Sequence, residues 1–69
     1  MPSTAIRSYS YDAARRELTV TFVTGRRYLY FDVPAGAADG LSGATSKGGY
    51  FNRVIRGAYR FVELASEAA

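Results

Sequence analysis

The chain has 69 residues, 48% of them hydrophobic and 22% charged, which suits one small folded domain. A chain this short buries only about 60% of the surface that its unfolded form exposes, so its stability is expected to be modest. It contains no cysteine and no histidine, which excludes disulfides, thiolate metal sites and imidazole chemistry, and the net charge of +3 permits nucleic-acid binding without demanding it.

Ala5 to Tyr11 alternates loosely, with Ile6, Tyr9 and Tyr11, and predicts a first strand. Residues 12–16 then supply a turn. Glu17 to Val23 is the clearest strand, with Leu18, Val20 and Phe22 on one face and Thr19 and Thr21 on the other. A tight hairpin follows, and Arg26 to Val33 predicts a third strand, which completes an antiparallel meander.

The hairpin register decides where the tyrosines lie. With Thr24-Gly25 as a two-residue loop, Val20 opposes Leu29, and Tyr28 and Tyr30 share a face with the threonines. With Val23-Thr24-Gly25 as the loop and Gly25 left-handed in a bulge turn, Val20 opposes Tyr28 and Leu18 opposes Tyr30. A one-residue slip exchanges the two faces. Glycine as third loop residue favours the second register, which packs the tyrosine rings toward the core.

Val33-Pro34 closes the strand, because a residue before proline is held extended. Pro34 suits the start of a helix, but Gly36 and Gly40 make any helix over residues 35–41 short and weak. Residues 42–45 read as a flexible joint. Ser46 is a good N-cap, and Tyr50, Phe51, Val54 and Ile55 form one apolar stripe behind it. Asn52, Arg53 and Arg56 point away from that stripe, and Gly57 occupies the place of a left-handed stop. Residues 58–64 predict a short terminal strand or an extended tail. The whole is α+β: a three-stranded antiparallel β-meander followed by two short helices packed on one face. A single domain over residues 3–64 and a frayed tail over 65–69 are expected.

The order of these features resembles the KTSC domain, a small domain found at the C-terminus of some lysyl-tRNA synthetases and also as a stand-alone bacterial protein. The resemblance rests on Ser8, Tyr11-Asp12, the Leu18/Val20/Phe22 alternation, Gly25, Tyr28-Leu29-Tyr30 and Val33-Pro34. Its most specific part is the run Ser46-Lys47-Gly48-Gly49-Tyr50-Phe51-Asn52-Arg53-Val54-Ile55-Arg56, followed by Tyr59. It implies a small β-meander followed by helices. It also implies RNA binding, the role suggested for the family by the synthetase association.

The residues themselves support two kinds of function. Eight of the nine cations are arginine, which favours bidentate recognition of phosphate or carboxylate, although a GC-rich genome produces the same bias. Arg53, Arg56 and Arg60, with Lys47 and Asn52, can grip successive phosphates, or they are an ordinary solvated face. Lys47-Gly48-Gly49 offers an anion approach to the backbone, yet it is not a P-loop. Tyr28, Tyr30 and Tyr50 are either base-stacking platforms or core residues. Arg26-Arg27 reads as a solvated strand start.

The expectation is therefore a small non-catalytic module that binds RNA or other nucleic acid through a basic helix face. The alternative is a protein-interaction module, either a homodimer or an adaptor such as a small phage- or mobile-element-encoded inhibitor of a host protein. Leu29, Phe31, Thr19 and Thr21 on the second sheet face motivate that alternative. The six carboxylates are scattered, so neither an enzyme nor a metal or other cofactor is expected. No run approaches the roughly 20 apolar residues of a membrane span, and residues 1–7 lack the apolar core of a signal peptide. A cytoplasmic protein with no membrane partner is expected.

Overall fold

The computed structural model describes residues 6–65. Four strands, β1 (Ile6–Asp12), β2 (Glu17–Phe22), β3 (Arg27–Tyr30) and β4 (Phe61–Leu64), form one antiparallel sheet in sequence order. Between β3 and β4 the chain forms α1 (Ala35–Gly43) and α2 (Lys47–Tyr50), the latter running directly into a π-helical segment (Phe51–Ile55). The β-meander followed by helices is the expected architecture, and residues 58–64 supply the fourth strand from Phe61 onward. The start of the first strand at Ala5 and all but the first residue of the expected tail lie outside the described residues.

The second hairpin takes the three-residue loop. Leu18 opposes Tyr30 and Val20 opposes Tyr28. The Gly25 N–H donates to the Phe22 carbonyl at 2.9 Å, and Gly25 has φ +93°, which only glycine adopts cheaply. Val23 is therefore the first loop residue rather than the last strand residue, and it is exposed. In β1 the register shifts between Ile6 and Ser8, so Arg7 is the extra residue of a bulge. That shift brings Ile6 to the face of Tyr9 and Tyr11 despite its opposite parity, which is why the alternation looks loose in sequence.

The third strand is shorter than Arg26 to Val33. Pairing with β2 covers Arg27–Tyr30, and Asp32 turns the chain out of the sheet at φ 57°. Val33 is then buried, with its N–H donating to the Arg16 carbonyl at 2.9 Å and its carbonyl accepting from the Tyr11 hydroxyl at 2.6 Å.

The first helix is longer than its glycines predict, and the joint expected over residues 42–45 is helical as far as Gly43. Packing overrides propensity here: Leu41 is fully buried and Ala38 nearly so. The core is Leu18, Val20, Phe22 and Tyr30 from the sheet, with Val33, Leu41, Phe51 and Ile55 from the layer above. The opposite sheet face, carrying Thr19, Leu29, Val62 and Leu64, has no helix over it among the described elements. No helix among the described residues is long and apolar enough to cross a membrane.

Candidate nucleic-acid interface

The second helical segment starts as its sequence predicts. Ser46 is the N-cap, and its hydroxyl oxygen accepts from the Gly49 N–H at 3.2 Å. That bond occupies one of the N–H groups an anion at Lys47-Gly48-Gly49 would use. After Tyr50 the bonding widens, and the Arg56 N–H reaches back five residues to the Phe51 carbonyl at 2.8 Å. Phe51 and Ile55 are both buried on the core side of this turn. Asn52 accepts from the Arg56 guanidinium at 3.2 Å, which fixes a side chain that would otherwise be free to swing.

Gly57 is left-handed, but it does not cap the helix. Arg56 is already extended at φ −65° and ψ 127°, Gly57 follows at φ 82°, and the Ala58 N–H donates to the Ile55 carbonyl at 3.1 Å. Those values describe a type II turn with glycine at its third position. The turn redirects the chain toward β4 and leaves Arg56 at the helix exit.

Five aromatic rings meet beneath Arg56. Phe22 packs edge-on against Tyr28 and Phe51, with centroids 5.6 and 5.3 Å away. Tyr30 packs edge-on against Phe51 at 5.5 Å, and Phe61 tilts over Tyr30 at 5.3 Å and Tyr28 at 5.6 Å. Each ring touches two others, so the contacts close into a circuit, at separations where aromatic pairs attract beyond simple area burial. Phe51, Tyr30 and Phe22 are buried, whereas Phe61 is 49% exposed. The circuit lines an open cleft of about 440 Å³, whose rim adds Arg56 from the helix exit and Thr24 and Arg26 from the β2–β3 hairpin.

The two arginines differ in their surroundings. A side-chain hydrogen bond with Tyr28, and then the nearby Glu63 carboxylate, raise the Arg26 pKa above its ordinary value. Glu63 lies 3.8 Å from Arg26, and both side chains are well exposed. Arg56 has the neutral Asn52 as its partner, and its charge reaches Tyr30. Burial raises the Tyr30 pKa, Tyr28 adds to the rise, and Arg56 opposes it.

Of the residues singled out in the sequence, Tyr28, Tyr30 and Arg56 come together at this cleft, with Asn52 behind Arg56. Arg53 is exposed one turn earlier, beside Gly49 and Ser46. The Lys47 ammonium sits 3.5 Å from the Ser42 carbonyl. Tyr50 is a packing residue: its hydroxyl donates to the Ala37 carbonyl at 2.8 Å and its ring covers Gly40. Arg60 does not join Arg53 and Arg56 in one stripe. Its guanidinium lies over the Phe31 ring, 5.2 Å from the centroid, one residue out of phase with Phe61 and so toward the uncovered sheet face. Phe22, Thr24, Arg26, Phe51 and Phe61 complete the site without having been expected there. Arg26 was legible, because it shares parity with Tyr28 and Tyr30. Phe61 was not, because its place depends on how β4 docks.

Among the described residues no group of three or more His, Cys, Asp or Glu is placed to hold a metal ion. Comparison with known proteins gives one consistent answer. Residues 2–59 match the KTSC domain. The chain is 38% identical over 60 residues to a lysine–tRNA ligase of Nostoc punctiforme, covering 87% of this chain and 11% of the ligase. It is 37% identical to a protein of Tsukamurella paurometabola, covering 90% of this chain and 92% of that protein. The crystal structure of a KTSC domain protein from Yersinia pestis superimposes with a TM-score of 0.85 at 31% identity, covering 94% of each chain. The chain thus spans about a tenth of the ligase and nearly the whole of the other two. From the strand order to the Ser46–Arg56 run, this chain belongs to the KTSC domain family.

Proposed function

We propose that the domain is a non-catalytic module that binds single-stranded or tRNA-like RNA through phosphate contacts from the Arg53–Arg56 side of its second helix. The observation that carries this reading is Arg56, held by Asn52 at the rim of an aromatic cleft and paired with no carboxylate among the described residues. Guanidinium groups presented this way suit bidentate phosphate recognition. The lysine–tRNA ligase relatives, whose name specifies a tRNA, add independent support. Such a module would work in the cytoplasm beside the translation machinery.

Fluorescence anisotropy with labelled single-stranded RNA and with tRNA tests the proposal. Affinity should fall as salt rises, along a slope that Arg53→Ala and Arg56→Ala each make shallower. Absence of binding at low salt would sink it.

A second reading has its own observation. Leu29, Val62 and Leu64 lie on the sheet face that no described helix covers, and Val62 is 46% exposed. That face suits a protein partner or a second copy of the chain. Light scattering on the eluting protein separates the two readings: a salt-sensitive RNA binder that stays monomeric supports the first, and a dimer indifferent to RNA supports the second.

A further inference from the structure

Resting on that reading, we infer that the five-ring cleft is a nucleotide pocket, which receives one unstacked base of the bound strand with an adjoining phosphate on Arg56.

The lining argues for a flat aromatic guest. Apart from Thr24, every side chain around the cleft is an aromatic ring or a guanidinium, and no branched aliphatic side chain lines it. Planar rings and guanidinium groups offer faces and edges to another plane, the surfaces on which unstacked bases are received. Its volume of about 440 Å³ falls toward the low end of the roughly 300–1,000 Å³ of small-molecule sites, which suits one nucleotide unit. Phe61 is the ring most open to solvent, at 49%, and Tyr28 beside it is partly exposed. The guest therefore stacks on Phe61 at the mouth, while Phe51 and Tyr30 form the floor.

Charge fixes the orientation. Arg26 and Arg56 flank the mouth, but Arg26 already faces Glu63 at 3.8 Å. Arg56, whose partner Asn52 is neutral, is the better phosphate site. Glu63 then acts as a brake on the second arginine. Stacking does not discriminate among bases, so the pocket confers attachment with little sequence preference.

The same chemistry, an aromatic base beside a phosphate, comes from a strand or from a free nucleotide, so the test carries both. The ring resonances of Phe61 and Tyr28 and the backbone amide of Arg53 are followed by NMR during titration with hexa-adenylate, an abasic sugar-phosphate chain of equal length, and AMP. Hexa-adenylate should shift both rings upfield, whereas the abasic chain should move the Arg53 amide and leave the rings in place. Phe61→Leu should weaken hexa-adenylate about tenfold without changing abasic binding, and Glu63→Gln should strengthen hexa-adenylate severalfold. AMP should bind at least tenfold more weakly than hexa-adenylate. Rings unmoved by hexa-adenylate while the Arg53 amide shifts would overturn the pocket and leave the phosphate reading standing. No shift at any position at low salt would overturn both. AMP binding as tightly as hexa-adenylate would overturn the strand as the source and assign the pocket to a free nucleotide. The wild-type titration decides these outcomes even where Phe61→Leu loosens β4.

Discussion

Tyr50 lies across Gly40, with its hydroxyl donating to the Ala37 carbonyl at 2.8 Å, so that one tyrosine holds the second helical segment against α1. A side chain at position 40 would collide with the Tyr50 hydroxyl and ring. The glycine that weakens α1 by propensity is the one that lets the two helices touch.

Gly40→Ala should therefore destabilise the domain, although alanine is the better helix former. Overpacking costs about 1–3 kcal/mol, and helix propensity returns about 1 kcal/mol. The expected net loss of about 1 kcal/mol lowers the melting temperature by roughly 4–8 °C in a domain of this size. At Gly36 a methyl group would meet nothing within 4 Å, so Gly36→Ala should gain about 0.5 kcal/mol. Thermal denaturation of the two variants side by side checks both signs, and equal behaviour would refute the packing argument.

Ser46→Ala removes the acceptor for the Gly49 N–H and should cost about 1 kcal/mol. Gly57→Ala forces a side chain into φ 82° and should cost about 1–2 kcal/mol. Urea titration at constant m-value measures each. Because Gly57 aims the chain at β4, its variant should also increase hydrogen exchange in Phe61–Leu64, an effect that Ser46→Ala should not share.

Salt dependence separates the cations. Each phosphate contact on a single strand adds about 0.7 to the slope of log affinity against log salt. Arg56→Ala should remove about that much. Arg60→Ala should leave the slope unchanged, since its guanidinium covers Phe31 away from the cleft. Equal effects from the two variants would mean that binding follows net charge rather than this site.

Tyr30 gives the domain an alkaline limit. Burial, the main cause, lifts its pKa above the ordinary 10.0. A raised folded pKa means that the neutral phenol is favoured in the fold, so this contribution to stability is complete below pH 10 and lost as pH rises through the folded value. Spectrophotometric titration of the wild type against Tyr30→Phe should show that the phenol lost in the variant ionises above pH 10. In Tyr30→Phe the alkaline loss of stability should be shallower.

Much of this fold is legible in local chemistry. The Leu18/Val20/Phe22 alternation, Gly25 as the third residue of its loop and Ser46 before the glycines each constrain their own neighbourhood, and each takes the expected place. Where local rules conflicted with packing, packing prevailed: α1 runs through its glycines to Gly43, and the helix widens into a π turn that buries both Phe51 and Ile55.

Periodicity, turn residues and caps act over a few positions, and so the architecture, the hairpin register and the family could be read along the chain. The cleft could not, because its parts are distant in sequence. Phe61 reaches Tyr30 because β4 docks on β3 after a detour of thirty residues, and that docking closes the ring circuit. The same step sends Arg60 toward the other sheet face, since neighbouring residues along an extended chain point to opposite sides, while the turn at Gly57 leaves Arg56 at the rim.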